Sequence, residues 1–187
     1  NSSANTIETS IGVFHYDFLV LAVGCTTNFF GNETIRQHSF TLKTTNDAIE
    51  IRNHILQTFE DIISAEEKDK AALLNLTIVG AGPTGVELAG AFAEIKKDIL
   101  PKDYPGINFA QFNINLIEGS KDTLNSMSEL AKKTSRKYLE EMGVHIITET
   151  FVKNYDGLTL ELNNGNTIQS KTVIWAAGVI GNKIDGL

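Results

Sequence analysis

Short apolar runs recur along the chain and predict buried β-strands. One run covers residues 76–79, and residues 112–117 alternate apolar and polar positions before an acid. Residues 144–148 and 172–179 supply two further strands. Between the first three strands, the apolar residues have helical spacing, which predicts one helix in each interval. The resulting order is β-α-β-α-β. This order predicts an α/β fold with a Rossmann-like parallel sheet.

The ends of these helices carry recognisable signals. The first helix is expected to stop at Pro101, because proline cannot continue a helix, and residues 101–106 to form a loop. The second is predicted to start from a capping box at residues 126–129 and to end at Gly143. Alternating leucines before Asn164-Gly165 predict a β-hairpin inserted before the last strand.

The first third of the chain has a different organisation. Residues 16–24 form a continuous apolar run typical of a strand covered on both faces, after a short strand at 6–11 and before a loop at 25–32. Such a strand needs neighbours, and none is evident upstream. A helix is predicted from Thr45 to about Glu66, followed by a charged break at residues 68–70. Its apolar stripe is Ala48, Ile51, Ile55, Phe59 and Ile62.

We therefore divide the chain into four segments. Residues 1–31 are interpreted as the trailing edge of another domain, and residues 32–70 as a linker with a connecting helix. Residues 71–180 form the predicted domain with the parallel sheet, and residues 181–187 begin a return to the first domain.

The strand at residues 76–79 runs into a glycine turn with the pattern G-x-G-x-x-G, formed by Gly80, Gly82 and Gly85. The first glycine permits the tight turn, the second lets a pyrophosphate approach the backbone, and the third lets helix and strand pack closely. Pro83 and Thr84 open the helix, whose first N–H groups can bind an anion. The pattern favours a dinucleotide site, and a purely structural glycine turn is the alternative.

Glu118 follows the second strand of this unit, where a dinucleotide fold places the carboxylate that binds the adenosine ribose. A carboxylate there repels a 2′-phosphate, which favours NAD(H) over NADP(H), although Lys121 stands nearby. A surface acid at a strand end is the alternative interpretation.

Glu87 allows two roles. It lies three residues after Thr84, a spacing that suits a capping box. It could equally point into the cleft and bind the nicotinamide end of the cofactor.

Composition narrows the function classes. A net charge of −7 argues against nucleic acid and anionic membrane surfaces as partners, and no apolar run is long enough to span a bilayer. Cys25 is the only cysteine, which excludes an internal disulfide or redox pair and fits a cytoplasmic location. His15, His38 and His54 lack the spacing of metal ligands, so we expect solvated or capping histidines and no metal site.

Four stretches together carry a resemblance to a known family. They are Tyr-Asp-Phe-Leu-Val-Leu-Ala-Val-Gly at 16–24, Thr-Asn-Phe-Phe-Gly at 27–31, Ile-Val-Gly-Ala-Gly-Pro-Thr-Gly-Val-Glu-Leu-Ala-Gly at 78–90, and Val-Ile-Trp-Ala-Ala-Gly-Val at 173–179. In combination they resemble the type II NADH dehydrogenases, flavoproteins with two dinucleotide-binding domains. The resemblance implies an NADH domain inserted into an FAD domain, with hydride passing from NADH to FAD and electrons passing on to a quinone.

The resemblance also assigns residues. It implies that NADH is held by the glycine turn with Pro83 and Thr84 and by Glu118, and that Glu87 lies near the nicotinamide as the catalytic residue. Ala176-Ala177-Gly178 would let the nicotinamide lie flat beside the flavin. Ala22-Val23-Gly24 matches the family's Ala-Thr-Gly stretch with valine for threonine, so Ala22 and Gly24 are predicted cofactor contacts and residues 1–31 a fragment of the FAD domain.

Some family features are not in this sequence. They are the amino-terminal G-x-G-x-x-G for FAD, the carboxy-terminal Gly-Asp stretch, and the quinone-site and membrane-anchoring segments. We therefore interpret the chain as the central part of such an enzyme, inactive alone. Its full-length form would be peripheral on the inner face of the cell membrane, with a homodimer left open. The alternatives are an NADH-sensing module without catalysis and the NADH domain of another flavoprotein reductase. The lone Cys25 separates the chain from the disulfide reductases.

Overall fold

The computed structural model describes residues 3–184, which form two compact units. The larger is Phe29–Gly178, and the described parts of Asn1–Asn28 and Val179–Leu187 form the smaller. The predicted return segment at 181–187 lies partly outside the described residues. The four-segment division stays a prediction.

The described residues contain eleven strands, six α-helices and one 3-10 turn at Phe109–Gln111. The strands are β1 (Thr6–Thr9), β2 (Gly12–His15), β3 (Cys25–Thr27), β4 (Asn75–Val79), β5 (Asn113–Ile117), β6 (Val144–Ile147), β7 (Val152–Tyr155), β8 (Thr159–Leu162), β9 (Thr167–Gln169), β10 (Thr172–Trp175) and β11 (Val179–Gly181). The helices are α1 (Glu33–His38), α2 (Thr45–Ser64), α3 (Glu67–Leu73), α4 (Pro83–Asp98), α5 (Leu100–Asp103) and α6 (Glu129–Glu141).

A four-stranded parallel sheet forms the centre of the larger unit. Its strands lie in the order β10-β4-β5-β6, with Ile78 of β4 opposite Leu116 of β5 and Ile174 of β10. These three side chains are fully buried, as expected for parallel strands covered on both faces. The predicted α/β fold with a Rossmann-like parallel sheet is confirmed.

Helices cover one face of this sheet. Alternate residues of the strands, such as Leu76 and Ile78, pack with Phe59 of α2 and with Ala89 and Ala93 of α4. Helix α2 begins where predicted, because Thr44 and Asp47 form a reciprocal capping box with bonds of 3.2 and 3.1 Å. The small residues of α4 let this helix lie close to the strands.

A three-stranded antiparallel meander, β7-β8-β9, packs against the opposite face. Val79 and Ile117 of the parallel sheet belong to one buried cluster with Tyr155, Leu160 and Leu162 of the meander. The predicted hairpin is its β8-β9 part, turning at Gly165 with φ of +86°. The first strand of the meander, β7, was not predicted.

The smaller unit contains the hairpin β1-β2 and the antiparallel pair β3-β11. The predicted buried strand within residues 16–24 is wrong for this structure: the segment is irregular, and Phe18 is 93% exposed. A strand forms only where a neighbour pairs with its backbone, and no described residue forms a ladder with this segment. The predicted loop at 25–32 also begins differently, because Cys25–Thr27 pairs with β11.

Four local expectations in the larger unit are wrong as well. The charged break at 68–70 belongs to α3. Helix α4 ends at Asp98, before Pro101 as expected, but the predicted loop at 101–106 begins within α5, where Pro101 occupies the first turn and its missing N–H costs nothing. The cap of α6 is Ser128, whose hydroxyl accepts from Ala131 N–H at 3.2 Å, rather than a box starting at Ser126.

The fourth concerns His54, which is neither solvated nor a cap. It is half-buried, with Nε2 3.0 Å from Thr172 Oγ1 and its ring 4.6 Å from the Phe40 ring. Burial lowers the pKa of His54 below its usual value.

Candidate nucleotide-binding site

A cavity of about 470 Å³ opens at the carboxyl ends of β4, β5 and β10, within the larger unit. Its volume falls in the range of about 300–1,000 Å³ that is common for ligand sites. Open parallel sheets bind ligands at this edge. The lining residues are Phe30, Val79, Gly80, Gly82, Ile117, Glu118, Gly119, Thr150, Phe151, Val152, Trp175, Ala176, Ala177 and Gly178.

The glycine turn forms one wall of the cavity, and each of its glycines has a different structural reason. Gly80 has a φ of +104°, and a Cβ there would lie 2.7 Å from the Ala177 nitrogen. A Cβ on Gly85 would overlap the carbonyl oxygen of Gly80. Gly82 has nothing within 4 Å of its would-be Cβ, so its backbone is open to a ligand.

Helix α4 starts at this turn with Gly82 as its N-cap and Pro83 as its first residue. No side chain caps it, and the first N–H groups of a helix have no partner within the helix. The positive end of the helix dipole therefore lies beside the open backbone of Gly82, an arrangement that suits a pyrophosphate. Thr84 is exposed in the first turn.

This start of α4 corrects one interpretation of Glu87. A capping box between Thr84 and Glu87 requires Thr84 at the N-cap, but Thr84 lies inside the helix. Glu87 is exposed, and its side chain makes no hydrogen bond or ion pair in the described part of the chain. It does not line the cavity.

Glu118 lies half-buried at the end of β5 and lines the cavity. One carboxylate oxygen accepts from Ala81 N–H at 2.7 Å. The other accepts from the N–H and the hydroxyl of Ser120, at 2.8 and 2.7 Å. A carboxylate has about four acceptor positions, so these three bonds fix its orientation and leave capacity for a ligand hydroxyl.

Ala176, Ala177 and Gly178 follow β10 along the other wall. The N–H of Ala176 donates to the carbonyl of Val79 at 2.8 Å, and Gly178 has a φ of +70°. Their small side chains leave room next to the glycine turn.

Ala22 and Gly24 belong to the smaller unit and are both exposed. Gly24 accepts from Asn182 N–H at 3.1 Å, and its φ is +75°. The structure thus brings together Gly80 and Gly82 of the glycine turn, Glu118 and the Ala-Ala-Gly stretch in one cavity. The other predicted contacts are not among its lining residues: Pro83, Thr84, Gly85, Glu87, Ala22 and Gly24.

Sequence reasoning missed Phe30, Thr150 and Phe151, which also line the cavity. Phe30 has a φ of +53°, an uncommon conformation for a bulky residue, and the residue is 69% exposed. Its position in the Thr-Asn-Phe-Phe-Gly stretch was available as a signal. Nothing local in the sequence indicated Phe151, because β7 was not predicted.

The described residues contain no group of three or more His, Cys, Asp or Glu side chains arranged to hold a metal ion. None of their helices combines the length and the apolar character needed to cross a bilayer.

The model of the pyridine nucleotide-disulphide oxidoreductase family matches residues 4–185 of the chain. The chain belongs to this family. Members of the family are oxidoreductases, and within it the resemblance to type II NADH dehydrogenases is confirmed by individual relatives.

The chain is 32% identical to the type II NADH:quinone oxidoreductase Ndh of Mycobacterium tuberculosis over 90% of its length. It is 31% identical to the type II NADH:quinone oxidoreductase of Staphylococcus aureus over 97% of its length. The solved structure of NDH2 from Plasmodium falciparum in complex with NADH superposes with a TM-score of 0.83, at 25% identity over 91% of the chain. The chain spans 38%, 45% and 36% of these proteins, respectively.

Proposed function

We propose that the chain is the NADH-binding part of an FAD-dependent NADH dehydrogenase that passes hydride from NADH to FAD and electrons on to a quinone. The observation that carries the proposal is the cavity whose lining combines the open backbone of Gly82, the N-cap of α4, with Glu118 and with Ala176-Ala177-Gly178. An anion site flanked by a carboxylate and by a small-residue wall suits the pyrophosphate, ribose and nicotinamide of a dinucleotide.

In this proposal each wall holds one part of NADH. The N–H groups at the start of α4 bind the pyrophosphate, because they are unpaired donors at the positive end of a helix dipole. The remaining acceptor capacity of Glu118 binds the adenosine ribose hydroxyls. The nicotinamide lies along Ala176-Ala177-Gly178, where no long side chain obstructs it.

Glu118 also supports a preference for NADH over NADPH. Its carboxylate lines the cavity in a fixed orientation, so a 2′-phosphate on the same ribose would meet a negative charge. Lys121, three residues after Glu118 in the sequence, would offset part of this repulsion.

The smaller unit has one feature that fits an FAD contact. A Cβ on Gly24 would have only Asn182 Nδ2 within 4 Å, at 3.8 Å, so the backbone there is open to a bound group. Ala22 and Gly24 would hold the cofactor at that point. FAD, when bound, would accept the hydride and release electrons one or two at a time.

The proposed electron acceptor and location follow from the relatives. The two bacterial relatives are named NADH:quinone oxidoreductases, and quinone reduction requires access to a membrane-dissolved substrate. We therefore propose a cytoplasmic protein whose full-length form is attached peripherally to the inner face of the membrane.

The proposal is tested on the full-length protein. Its absorption spectrum should show bound flavin, and it should oxidise NADH with a short-chain quinone as acceptor. A Gly82→Ala variant should retain the flavin but lose most of the NADH oxidation. A protein that binds NADH but carries no flavin and reduces no quinone would instead be the sensing module.

A further inference from the structure

The loop between β6 and β7 is fixed next to the proposed adenosine end of the cavity. The N–H of Thr150 donates to the carbonyl of Glu118 at 3.0 Å, and the N–H of Glu149 donates to the carbonyl of Ser120 at 2.9 Å. Residues 149 and 150 are thereby bonded to the turn that carries the ribose-binding carboxylate. The next residue, Phe151, must lie beside this turn.

Phe151 is held from its other side as well. Its N–H donates to Asn163 Oδ1 at 3.1 Å, and its carbonyl accepts from Asn163 N–H at 3.0 Å. The turn before it contains Glu149 in the left-handed region, with a φ of +53°. A non-glycine residue in this region stores strain, and such strain concentrates at ligand sites. The backbone around Phe151 is therefore rigid and strained at the rim of a cavity.

The side chain of Phe151 offers a free aromatic surface. Phe151 is 57% exposed and lines the cavity. It lies next to Gly119, because a Cβ added to Gly119 would be 4.0 Å from the Cβ of Phe151. Among the residues that line the cavity, Thr150 is the one with a hydroxyl, and that hydroxyl already donates to the Thr148 carbonyl at 3.0 Å. This end of the cavity thus presents an exposed aromatic residue together with the Glu118 carboxylate.

We propose that Phe151 is the stacking platform for the adenine of the bound dinucleotide, an inference that rests on the proposed function. The base is joined to the ribose that Glu118 binds, so it reaches the residues next to Glu118. Aromatic side chains bind bases through their π-faces and tolerate changes at the base edge. The site therefore recognises a purine ring rather than the amino group of adenine.

The experiment compares the wild-type chain with Phe151→Ala by calorimetric titration of ADP-ribose, which lacks the nicotinamide. Loss of one base stack should weaken binding about five- to a hundredfold. Phe151→Tyr, which keeps the ring, should stay within about twofold of wild type. Tyr138→Ala is the matched control, because Tyr138 is 60% exposed on α6 and does not line the cavity.

Two further ligands show which part of the dinucleotide Phe151 contacts. Reduced nicotinamide mononucleotide, which lacks adenosine, should bind Phe151→Ala and wild type equally. The reduced hypoxanthine analogue of NADH should bind the wild type within about threefold of NADH itself. A large loss with the hypoxanthine analogue would overturn the stacking account, because it would mean that the adenine edge is read.

Failures of the two proposals are distinguishable. A wild-type chain that binds neither NADH nor ADP-ribose overturns the proposed function and this inference with it. A wild-type chain that binds both, with Phe151→Ala unchanged, overturns this inference alone. Circular dichroism checks the fold, and if Phe151→Ala does not fold, Phe151→Leu keeps apolar area without a π-face and should show the same loss.

Discussion

The side chain of Glu118 accepts a hydrogen bond from the backbone N–H of Ala81 over 2.7 Å and so joins the end of β5 to the glycine turn after β4. The same carboxylate binds the turn at Ser120 with its other oxygen. Glu118 therefore stabilises the glycine turn and the turn at Ser120, in addition to its proposed contact with the ribose. Loss of its side chain should affect both the conformation of these turns and the binding of the ligand.

We expect Glu118→Ala to weaken NADH binding by about 1.5–3 kcal/mol, the value of a charge-assisted hydrogen bond. NADPH should lose less, because the substitution also removes a charge that repels its 2′-phosphate. Titration with both cofactors gives the ratio of the NADH affinity to the NADPH affinity, and this ratio should be smaller in the variant than in the wild type. Ser120→Ala is the control, since it removes one bond to Glu118 and keeps the charge. An unchanged ratio in Glu118→Ala would count against the ribose contact.

Gly85→Ala should destabilise the chain, because its Cβ would overlap the Gly80 carbonyl oxygen. Overpacking of this kind costs about 1–3 kcal/mol. Gly82→Ala is the matched control at the other end of the same turn, where the Cβ meets open space, and it should cost less than about 1 kcal/mol as an N-cap change. Urea unfolding of both variants measures the difference, and equal destabilisation would mean that the close packing at Gly85 is misassigned.

Glu87→Gln should leave the stability of the chain unchanged, because the exposed side chain makes no bond to lose. If Glu87 positions the nicotinamide in the full-length enzyme, the variant should reduce flavin more slowly at saturating NADH, by up to about a hundredfold. Stopped-flow measurement of flavin reduction tests this, with Glu94→Gln on the same helix as control. A wild-type rate would leave Glu87 without a catalytic role, since the structure already excludes its capping role.

His54 should make the stability of the chain depend on pH. Burial lowers its pKa, although the Lys171 backbone and Asp61 act in the opposite direction. The unfolded chain then binds more protons near neutral pH, so the contribution is complete above the unfolded-state pKa and is lost as the pH falls through the folded-state value. We expect the free energy of unfolding to fall between about pH 7.5 and pH 5.5. The fall should be smaller in His54→Gln; parallel profiles for the two proteins would contradict this.

The sequence predicted the parts of the site that depend on local geometry. The roles of Gly80 and Gly85 follow from a strand, a turn and a helix that are contiguous in the chain. The position of Glu118 follows from the end of one strand. These features can be predicted from short stretches of sequence and from the rule that ligands bind at the carboxyl ends of parallel strands.

The missed parts depend on contacts between distant segments. Phe151 reaches the cavity because Thr150 bonds to Glu118 and Asn163 holds its backbone, pairings that no local pattern reveals. The capping box of Thr84 and Glu87, one of the two roles that the sequence left open for Glu87, does not form, because the N-cap is Gly82, which has no side chain to signal it. The apolar run at 16–24 was predicted as a strand from hydrophobicity, but strand formation requires a neighbouring backbone.

The most direct test of the account is a crystal structure of the chain grown at saturating NADH. We expect the pyrophosphate at the N-terminus of α4 beside Gly82, the adenosine ribose on Glu118, and the nicotinamide along Ala176-Ala177-Gly178. A dinucleotide bound outside this cavity, or bound in it with its adenosine and nicotinamide ends exchanged, would contradict the account.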